Sequence, residues 1–269
     1  MKAFKKLFFG LCAIALLSSC EKVIEVELED HEPQLYIAAD LSLVDEQLEV
    51  IIGKTSPYFA AGASEMIESA TVILSDDQGN SYSVPHQGNG VYLLDIIPNT
   101  DRTYTLTANV EGQDYVASSF LPSTVMLNEL VPTFQAASGP IPEGNIVWMR
   151  YQDPAGESNY YRAVHWVNDT LQLAGEDLII FDDALNDGIY AATPLFQKFF
   201  DSGDVLRVQL IHCDQDSYEY YNSLADIVSS GQGPNGGSAA PGNPNTNWSG
   251  GIDGKFTAFS STELTITIP

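Results

Sequence analysis

The stretch YTLTANVEGQDYVA at residues 104–117 decides the fold of this chain. Apolar side chains occupy every second position from Tyr104 to Val110, and EGQ at 111–113 interrupts them before a second apolar run starts at Tyr115. A period of two is typical of a half-buried β-strand, and a glycine-containing break between two such runs is typical of a turn. The stretch therefore predicts two neighbouring strands.

The same alternation recurs through the N-terminal half of the chain. Further apolar runs bounded by turn residues lie at 35–43, 48–52, 70–74, 82–84 and 91–94. About seven short strands at regular spacing, with almost no helical period, are typical of a β-sandwich. We predict an immunoglobulin-like or transthyretin-like sandwich over residues 31–121.

The second half of the chain predicts a further β-rich domain. Apolar residues lose their period after residue 121, where Pro, Ser, Ala and Gly dominate, so we place an interdomain linker at 122–145. Strand-like runs resume from residue 146, which defines a second domain at 146–269. One short helix interrupts it, because apolar residues from Tyr221 to Val228 follow a helical spacing.

The ends of this helix and the stretch after it also carry signals. Asp216 and Glu219 form a capping-box pattern, and Gly231 suits the helix end. The stretch from 229 to 254 is rich in Gly, Asn, Pro and Ser and too long for a tight connection, so we expect it to be flexible or functional. Trp248 within it is either an exposed platform for a sugar or partner, or a residue that pins the loop to the core.

The N-terminus carries an export and lipidation signal. Three lysines precede an apolar run at residues 7–17, and LSSC at 17–20 resembles the lipobox of bacterial lipoproteins. We therefore expect residues 1–19 to be a lipoprotein signal peptide, Cys20 to be the lipidated residue, and 20–30 to be a tether. Acyl chains on Cys20 would anchor the protein in a membrane. The alternative is an ordinary secretory signal with a chance cysteine.

Charge and cysteine content limit the classes of partner and of stabilising bond. The formal net charge of −25 suits solubility and disfavours nucleic-acid phosphates and anionic head groups as partners. Cys213 is the one cysteine that remains after Cys12 leaves with the signal and Cys20 takes lipid, so no internal disulfide is expected. Its place after the apolar run at 205–211 predicts a buried, inert thiol at a strand end.

Catalytic patterns find little support in the sequence. The four histidines are scattered, and G-x-S-x-G and H-E-x-x-H motifs are absent. His165 suits a strand better than a catalytic base. Asp182, Asp183 and Asp187 invite a calcium interpretation, but an EF-hand loop starting at Asp183 places Leu185 and Pro194 at ligand positions, so a polar turn is favoured. We expect no enzyme, no metal and no cofactor.

Binding residues are sought among the aromatic and basic side chains. Trp248, Tyr161 and Arg162 are the candidates, and strand geometry places Tyr161 and Arg162 on opposite faces. A structural ion pair with a carboxylate is the expected role of Arg162. The tripeptide DTL at 169–171 resembles the Asp-Ser/Thr-aliphatic O-glycosylation signal of Bacteroidota, a short pattern that also occurs by chance.

Two stretches carry a resemblance to a known family. Residues 153–162 read DPAGESNYYR, and a P-x-N-x-x-x-N segment at 241–247 precedes GKF at 254–256. These stretches resemble a family of Bacteroidota lipoproteins catalogued as domain of unknown function 4249. The resemblance covers the whole mature chain and implies an accessory role beside an outer-membrane TonB-dependent receptor. It implies no established active site.

These observations together predict a lipid-anchored, non-catalytic lipoprotein of the outer membrane. Its expected role is that of an accessory or binding subunit of a TonB-dependent receptor uptake system. The alternative is a free-standing glycan- or peptide-binding lipoprotein, with an enzyme as the third possibility. The sequence leaves the cargo open, and also the face of the outer membrane, periplasmic or cell-surface, to which the protein is attached.

Overall fold

In the residues it describes, 32–56, 64–139, 142–172, 178–195, 199–230 and 242–269, the computed structural model is mainly β with one α-helix. The predicted fold class is confirmed. The predicted signal peptide, Cys20 and the tether lie outside the described residues. Pro33–Pro269 forms one compact unit.

The N-terminal half forms short strands with the predicted alternation of buried and exposed positions. The turn between the strands Arg102–Val110 and Gln113–Leu121 has Glu111 and Gly112 at φ 54° and 87°, as a two-residue type I′ hairpin requires. The hairpin predicted from residues 104–117 is therefore confirmed. The strands described in this half are β1 Leu35–Ser42, β2 Gln47–Lys54, β3 Thr71–Asp76, β4 Ser81–Val84, β5 His86–Gly88, β6 Val91–Asp95, β7 Arg102–Val110 and β8 Gln113–Leu121.

The C-terminal half adds further strands and the helix α1, Gln215–Ser230. Asp214 caps this helix, because its Oδ1 accepts a hydrogen bond from the Ser217 backbone N–H at 2.9 Å. The capping position predicted at Asp216 is wrong. The preceding strand ends at Cys213, Asp214 is the capping residue, and the helix begins at Gln215. The strands described here are β9 Leu127–Gln135, β10 Gly144–Gln152, β11 Tyr160–Val167, β12 Thr170–Leu171, β13 Ile179–Asp182, β14 Tyr190–Pro194, β15 Val205–Cys213 and β16 Asp253–Thr267.

One long sheet runs through the described chain and packs against two smaller sheets. Its strand order is β12-β11-β15-β16-β1-β2-β6-β5, with β13 also paired to β11. The sheet β4-β3-β7-β8 encloses a first core with the β16-β1-β2-β6 part of the long sheet. The sheet β14-β10-β9 encloses a second core with the β11-β15 part. The result is two β-sandwich layers built on a shared sheet.

Strand β16 joins the two sandwiches. Residues Asp253 to Phe259 pair in parallel with β1, and residues Ser260 to Thr267 pair antiparallel with β15. Phe256 and Ala258 belong to the first core. The first sandwich is thus completed by residues from the far end of the chain, outside the predicted 31–121 boundary.

The predicted linker at 122–145 is wrong for its central part. Strand β9 lies there and pairs with β10. Leu127 and Leu130 are both buried although they are three residues apart, because a β-bulge adds one residue to β9 opposite the Arg150–Tyr151 step. The bulge breaks the period of two, which is why this strand carries no alternation in the sequence.

Candidate functional site

Helix α1 contacts the outer face of the long sheet and leaves a concave surface beside it, which we call the outer groove. Alternation along the strands decides which side chains reach it, since odd and even positions point to opposite faces. The groove is a cavity of about 210 Å³. Four strands and the helix contribute its lining, which consists of Asp40, Arg162, Val164, Trp166, Gln209, Ile211, Cys213, Tyr221, Thr257 and Phe259.

A second cavity of about 400 Å³ continues the outer groove along the same face of the sheet. The two cavities share Trp166 and Gln209. Arg207 and Glu263 line the second cavity and form an ion pair, with Arg207 Nη1 at 2.9 Å from Glu263 Oε2. The Arg207 guanidinium also stacks on the Trp166 ring at 3.7 Å from its centroid.

Arg162 is held in the outer groove by an aromatic ring. Its guanidinium carbon lies 4.1 Å from the centroid of the Tyr221 ring of helix α1. Tyr161, the preceding residue, is fully buried on the opposite face, which confirms the predicted alternation of the two side chains. Among the described residues, Arg162 makes no hydrogen bond or ion pair within 4 Å, so the predicted structural ion pair is absent.

Asp40 reaches the outer groove from strand β1. It faces Glu49 across the β1–β2 pair and Thr257 across the β1–β16 pair. Removal of water by the surrounding protein raises the pKa of Asp40 to about 6, an increase that the Arg162 charge partly opposes. The residue as a whole is exposed, so the protein removes water from its carboxylate only in part and the group stays accessible from the concavity. In the described chain its carboxylate accepts no hydrogen bond from protein.

Tyr161, predicted as a binding residue, is a core residue. Its hydroxyl donates to Asp153 Oδ1 at 2.5 Å, and its ring stacks on Phe181 and His212 at 5.4 and 5.0 Å between centroids. Burial and the bond to Asp153 raise the pKa of Tyr161. With no exposed surface it is closed to a ligand, so the prediction is wrong for this residue.

Trp248 is also a core residue, with 4% of its surface exposed. Its indole Nε1 donates to the Ile37 carbonyl at 2.9 Å, and the ring belongs to the first core. The prediction of an exposed binding residue is wrong. The alternative, in which Trp248 holds its loop against the core, is the one observed. Residues 231–241 of the predicted loop lie outside the described residues. In the segment after residue 241, the side-chain amide of Asn247 donates hydrogen bonds to the backbone carbonyls of Ser118 and Phe256.

Three carboxylates meet at the loops beside the second core. Oxygens of Asp153, Asp183 and Asp187 lie within 4.8 Å of one another, an arrangement that could hold a cation. Each carboxylate already accepts a hydrogen bond from a backbone N–H group, however. Asp153 accepts from Gly188 at 3.0 Å, Asp183 from Asn159 at 2.9 Å, and Asp187 from Gly156 at 2.7 Å. The cluster therefore holds two loops together, the one between β10 and β11 and the one between β13 and β14. The sequence suggests Asp182 as the third carboxylate beside Asp183 and Asp187, but the structure places Asp153 there.

Buried ionisable groups near the groove are unsuited to nucleophilic chemistry. Burial raises the pKa of the Cys213 thiol to about 12, which confirms the predicted inert residue. Burial lowers the pKa of Lys255, which is 5% exposed beneath helix α1, and its ammonium has no hydrogen-bond partner in the described part of the chain. Burial likewise lowers the pKa of His212.

Comparison with known proteins places the chain in a family. The family model described as "Domain of unknown function (DUF4249)" matches residues 21–265. The chain belongs to the DUF4249 family. No curated protein matches it.

Solved structures similar to this DUF4249 chain contain fibronectin domains. A two-fibronectin type-III domain segment of chicken tenascin is 13% identical with a TM-score of 0.21, and the match covers 68% of this chain and 91% of that one. The FN1–FN3 domains of chicken CNTN1 are 8% identical with a TM-score of 0.26, covering 69% of this chain and 62% of theirs.

The DUF4249 stretch at 153–162 has a structural role and a role in the groove. Gly156 has φ 88° and donates to Asp187, and the Asn159 amide bridges to Asp183 and to two backbone carbonyls. Tyr161 anchors Asp153, and Arg162 alone points into the outer groove. Asp40, Trp166 and Tyr221 were missed as site residues. Trp166 shares one face of β11 with Arg162 and could have been found from the period of two, whereas Asp40 and Tyr221 reach the groove only through the sheet order and the packing of helix α1. Within the described ranges, no helix has the length and apolar character needed to cross a membrane.

Proposed function

We propose that the protein is a lipid-anchored, non-catalytic outer-membrane lipoprotein, acting as an accessory or binding subunit of a TonB-dependent receptor uptake system. The lipobox-like LSSC at 17–20 supports the anchor, and the DUF4249 resemblance supports the place beside a receptor. The resemblance implies no active site whose residues could be transferred to the chain.

The outer groove is the observation that carries the binding role. It combines an apolar floor with a guanidinium and a carboxylate that have no hydrogen-bond partner among the described protein atoms, which is the composition of a ligand pocket. The cysteine in its lining is poorly ionised at neutral pH, so it is a weak nucleophile. This geometry therefore suits reversible binding and release of a ligand better than a covalent reaction step.

The groove equally supports the alternative of a free-standing glycan- or peptide-binding lipoprotein. The two functions differ in whether the protein forms a complex. An accessory subunit should co-purify with a TonB-dependent receptor when a tagged copy is extracted from native membranes in mild detergent. Recovery of the protein without a receptor, but with ligand binding intact, would favour the free-standing form.

Cys20→Ala tests the anchor. We expect more of this variant than of the wild type to leave the membrane fraction on washing without detergent, because it lacks the acyl chains proposed to hold the protein in the lipid. Cys12→Ala is the matched control, since Cys12 leaves with the signal peptide and its loss should not change fractionation. Retention of Cys20→Ala in washed membranes would contradict the lipoprotein assignment.

A further inference from the structure

We propose that the outer groove binds the zwitterion of an amino acid or short peptide, with the ligand ammonium at Asp40 and the ligand carboxylate at Arg162. This inference rests on the proposed binding function and names the ligand class for the same site. It concerns the purified protein alone and needs no receptor.

Arg162 has the geometry of a carboxylate receptor. The contact of its guanidinium carbon with the Tyr221 ring, 4.1 Å from the centroid, restrains the side chain in the groove. No acceptor among the described residues takes the guanidinium N–H groups. A planar fork of donors matches the two oxygens of a carboxylate, and such bidentate pairs are among the stronger hydrogen-bonded contacts in proteins.

Asp40 supplies the opposite charge in the same cavity. It lines the groove with Arg162, and the Arg162 charge acts on it, yet the two form no ion pair within 4 Å. The groove thus presents an anion and a cation that are held apart, on strands β1 and β11. A ligand that carries both charges can bridge them, whereas a ligand with one charge leaves the other unpaired.

The rest of the lining selects an amino-acid ligand over a sugar. Val164, Ile211 and Phe259 give an apolar floor for a side chain, and about 210 Å³ gives room for one residue. Sugars commonly stack on aromatic faces, and one face each of Tyr221 and Trp166 is already occupied by the guanidinium of Arg162 and of Arg207, which reduces the aromatic surface open to a sugar. The neighbouring cavity of about 400 Å³ has space for a second or third residue of a peptide.

Calorimetric titration of the full-length protein in detergent tests the ligand class. The probes are L-leucine, the dipeptide Leu-Leu, its N-acetylated form and its C-terminal amide, with glucuronic acid as the sugar probe. We expect binding of leucine, the free dipeptide or both, and a loss of about tenfold or more when either terminus is blocked. Which of the two binds more tightly distinguishes an amino acid from a peptide as the natural source.

Variants of the two charged residues assign the contacts. Arg162→Gln and Asp40→Asn should each weaken binding by about tenfold or more, and Arg162→Lys should restore part of it because the charge is kept without the fork. Arg102→Gln is the matched control, since Arg102 forms an exposed ion pair with Asp77 in the first sandwich. Circular dichroism of each variant establishes that the fold is intact.

The pH dependence of binding reports on Asp40. Protonation of Asp40 removes its attraction for an ammonium, so affinity should fall as the pH decreases through about 6 and should do so less in Asp40→Asn. The charged and titratable groups around Asp40 are Arg162 on β11, Glu49 on β2, Lys255 on β16, and Tyr220 and Tyr221 on α1.

Three results would overturn the inference. They are equal affinity for free and blocked dipeptides, binding of glucuronic acid in place of the zwitterions, and no heat of binding for any amino-acid probe at millimolar concentration. Each of them leaves the anchor and receptor tests of the proposed function untouched, because those are measured by fractionation and co-purification. Failure of Cys20→Ala to leave the membrane would in turn say nothing about the groove.

Discussion

Trp248 shows how a single side chain can join distant parts of this chain. It lies in a Gly- and Asn-rich segment, yet its ring is packed in the first core and its indole N–H reaches the carbonyl of Ile37. A buried indole needs such an acceptor, because an unpaired polar group in a core is costly. The residue therefore fixes the C-terminal segment against strand β1.

Trp248→Ala should lower the free energy of unfolding by about 3–5 kcal/mol, since it removes a large buried ring and leaves a cavity. Trp248→Phe should recover part of this loss, because it keeps a ring but not the bond to Ile37. Urea unfolding followed by circular dichroism measures both. Phe134→Ala is the control, as Phe134 is 64% exposed and should change stability little. An unfolding curve of Trp248→Ala that overlays the wild type would show that the ring is not buried.

The sequence predicts single residues well where the reason for their place is local. The outward Arg162 and the inert Cys213 follow from the period of their own strands. The burial of Trp248 could not be predicted, because its partner Ile37 lies near the other end of the chain. The groove could not be predicted for the same reason, since Asp40 and Arg162 line one cavity only through the order of the long sheet.

Among the elements, strand β16 depends on one glycine for its approach to β1. Gly254 has φ 105°, and a Cβ there would lie 2.1 Å from the Ile37 carbonyl oxygen. The register pairs Gly254 with Ile37 directly. A side chain at this position is excluded both by the backbone conformation and by the contact with β1.

Gly254→Ala should destabilise the protein by about 3 kcal/mol or more, because β1 and β16 would have to separate. Gly79→Ala is the matched control, since Gly79 also has a positive φ, 88°, but a Cβ there would meet no atom within 4 Å. It should cost only the backbone strain, about 1–2 kcal/mol. Thermal or urea unfolding measures both variants, and equal losses for the two would contradict the tight β1–β16 contact.

Strand prediction succeeds where the period of two is unbroken and fails where it is not. The hairpin β7–β8 reads directly from its alternation and its turn. Strand β9 falls in the predicted linker because its bulge brings Leu127 and Leu130 to the same side. The period of a strand is visible in the sequence, but the pairing that creates a bulge is not.

For the whole molecule, the shared long sheet makes the two sandwiches interdependent. The first core contains residues of β16, and β9 pairs with β10 across the segment of the predicted linker. Neither predicted domain contains every strand of its sandwich, since 31–121 lacks β16 and 146–269 lacks β9. The two β-rich halves therefore differ from a pair of domains that could be cut apart at residues 122–145.

A protease site inserted after Gly139 tests this dependence. Cleavage there separates β9 from β10 in sequence, but we expect the two fragments to co-elute in size-exclusion chromatography, because β1 remains paired with β16. They should come apart only under urea, in a single transition that both fragments share. Fragments that elute separately in native buffer would contradict the shared sheet.

The pairing of β1 with β16 also has a consequence for biosynthesis. The ribosome releases Leu35–Ser42 long before Asp253–Thr267, so one edge of β1 has no partner until synthesis is almost complete. An open strand edge can pair with another chain. Copies that terminate before residue 253 keep this edge permanently, which makes truncated products of this chain prone to associate with one another.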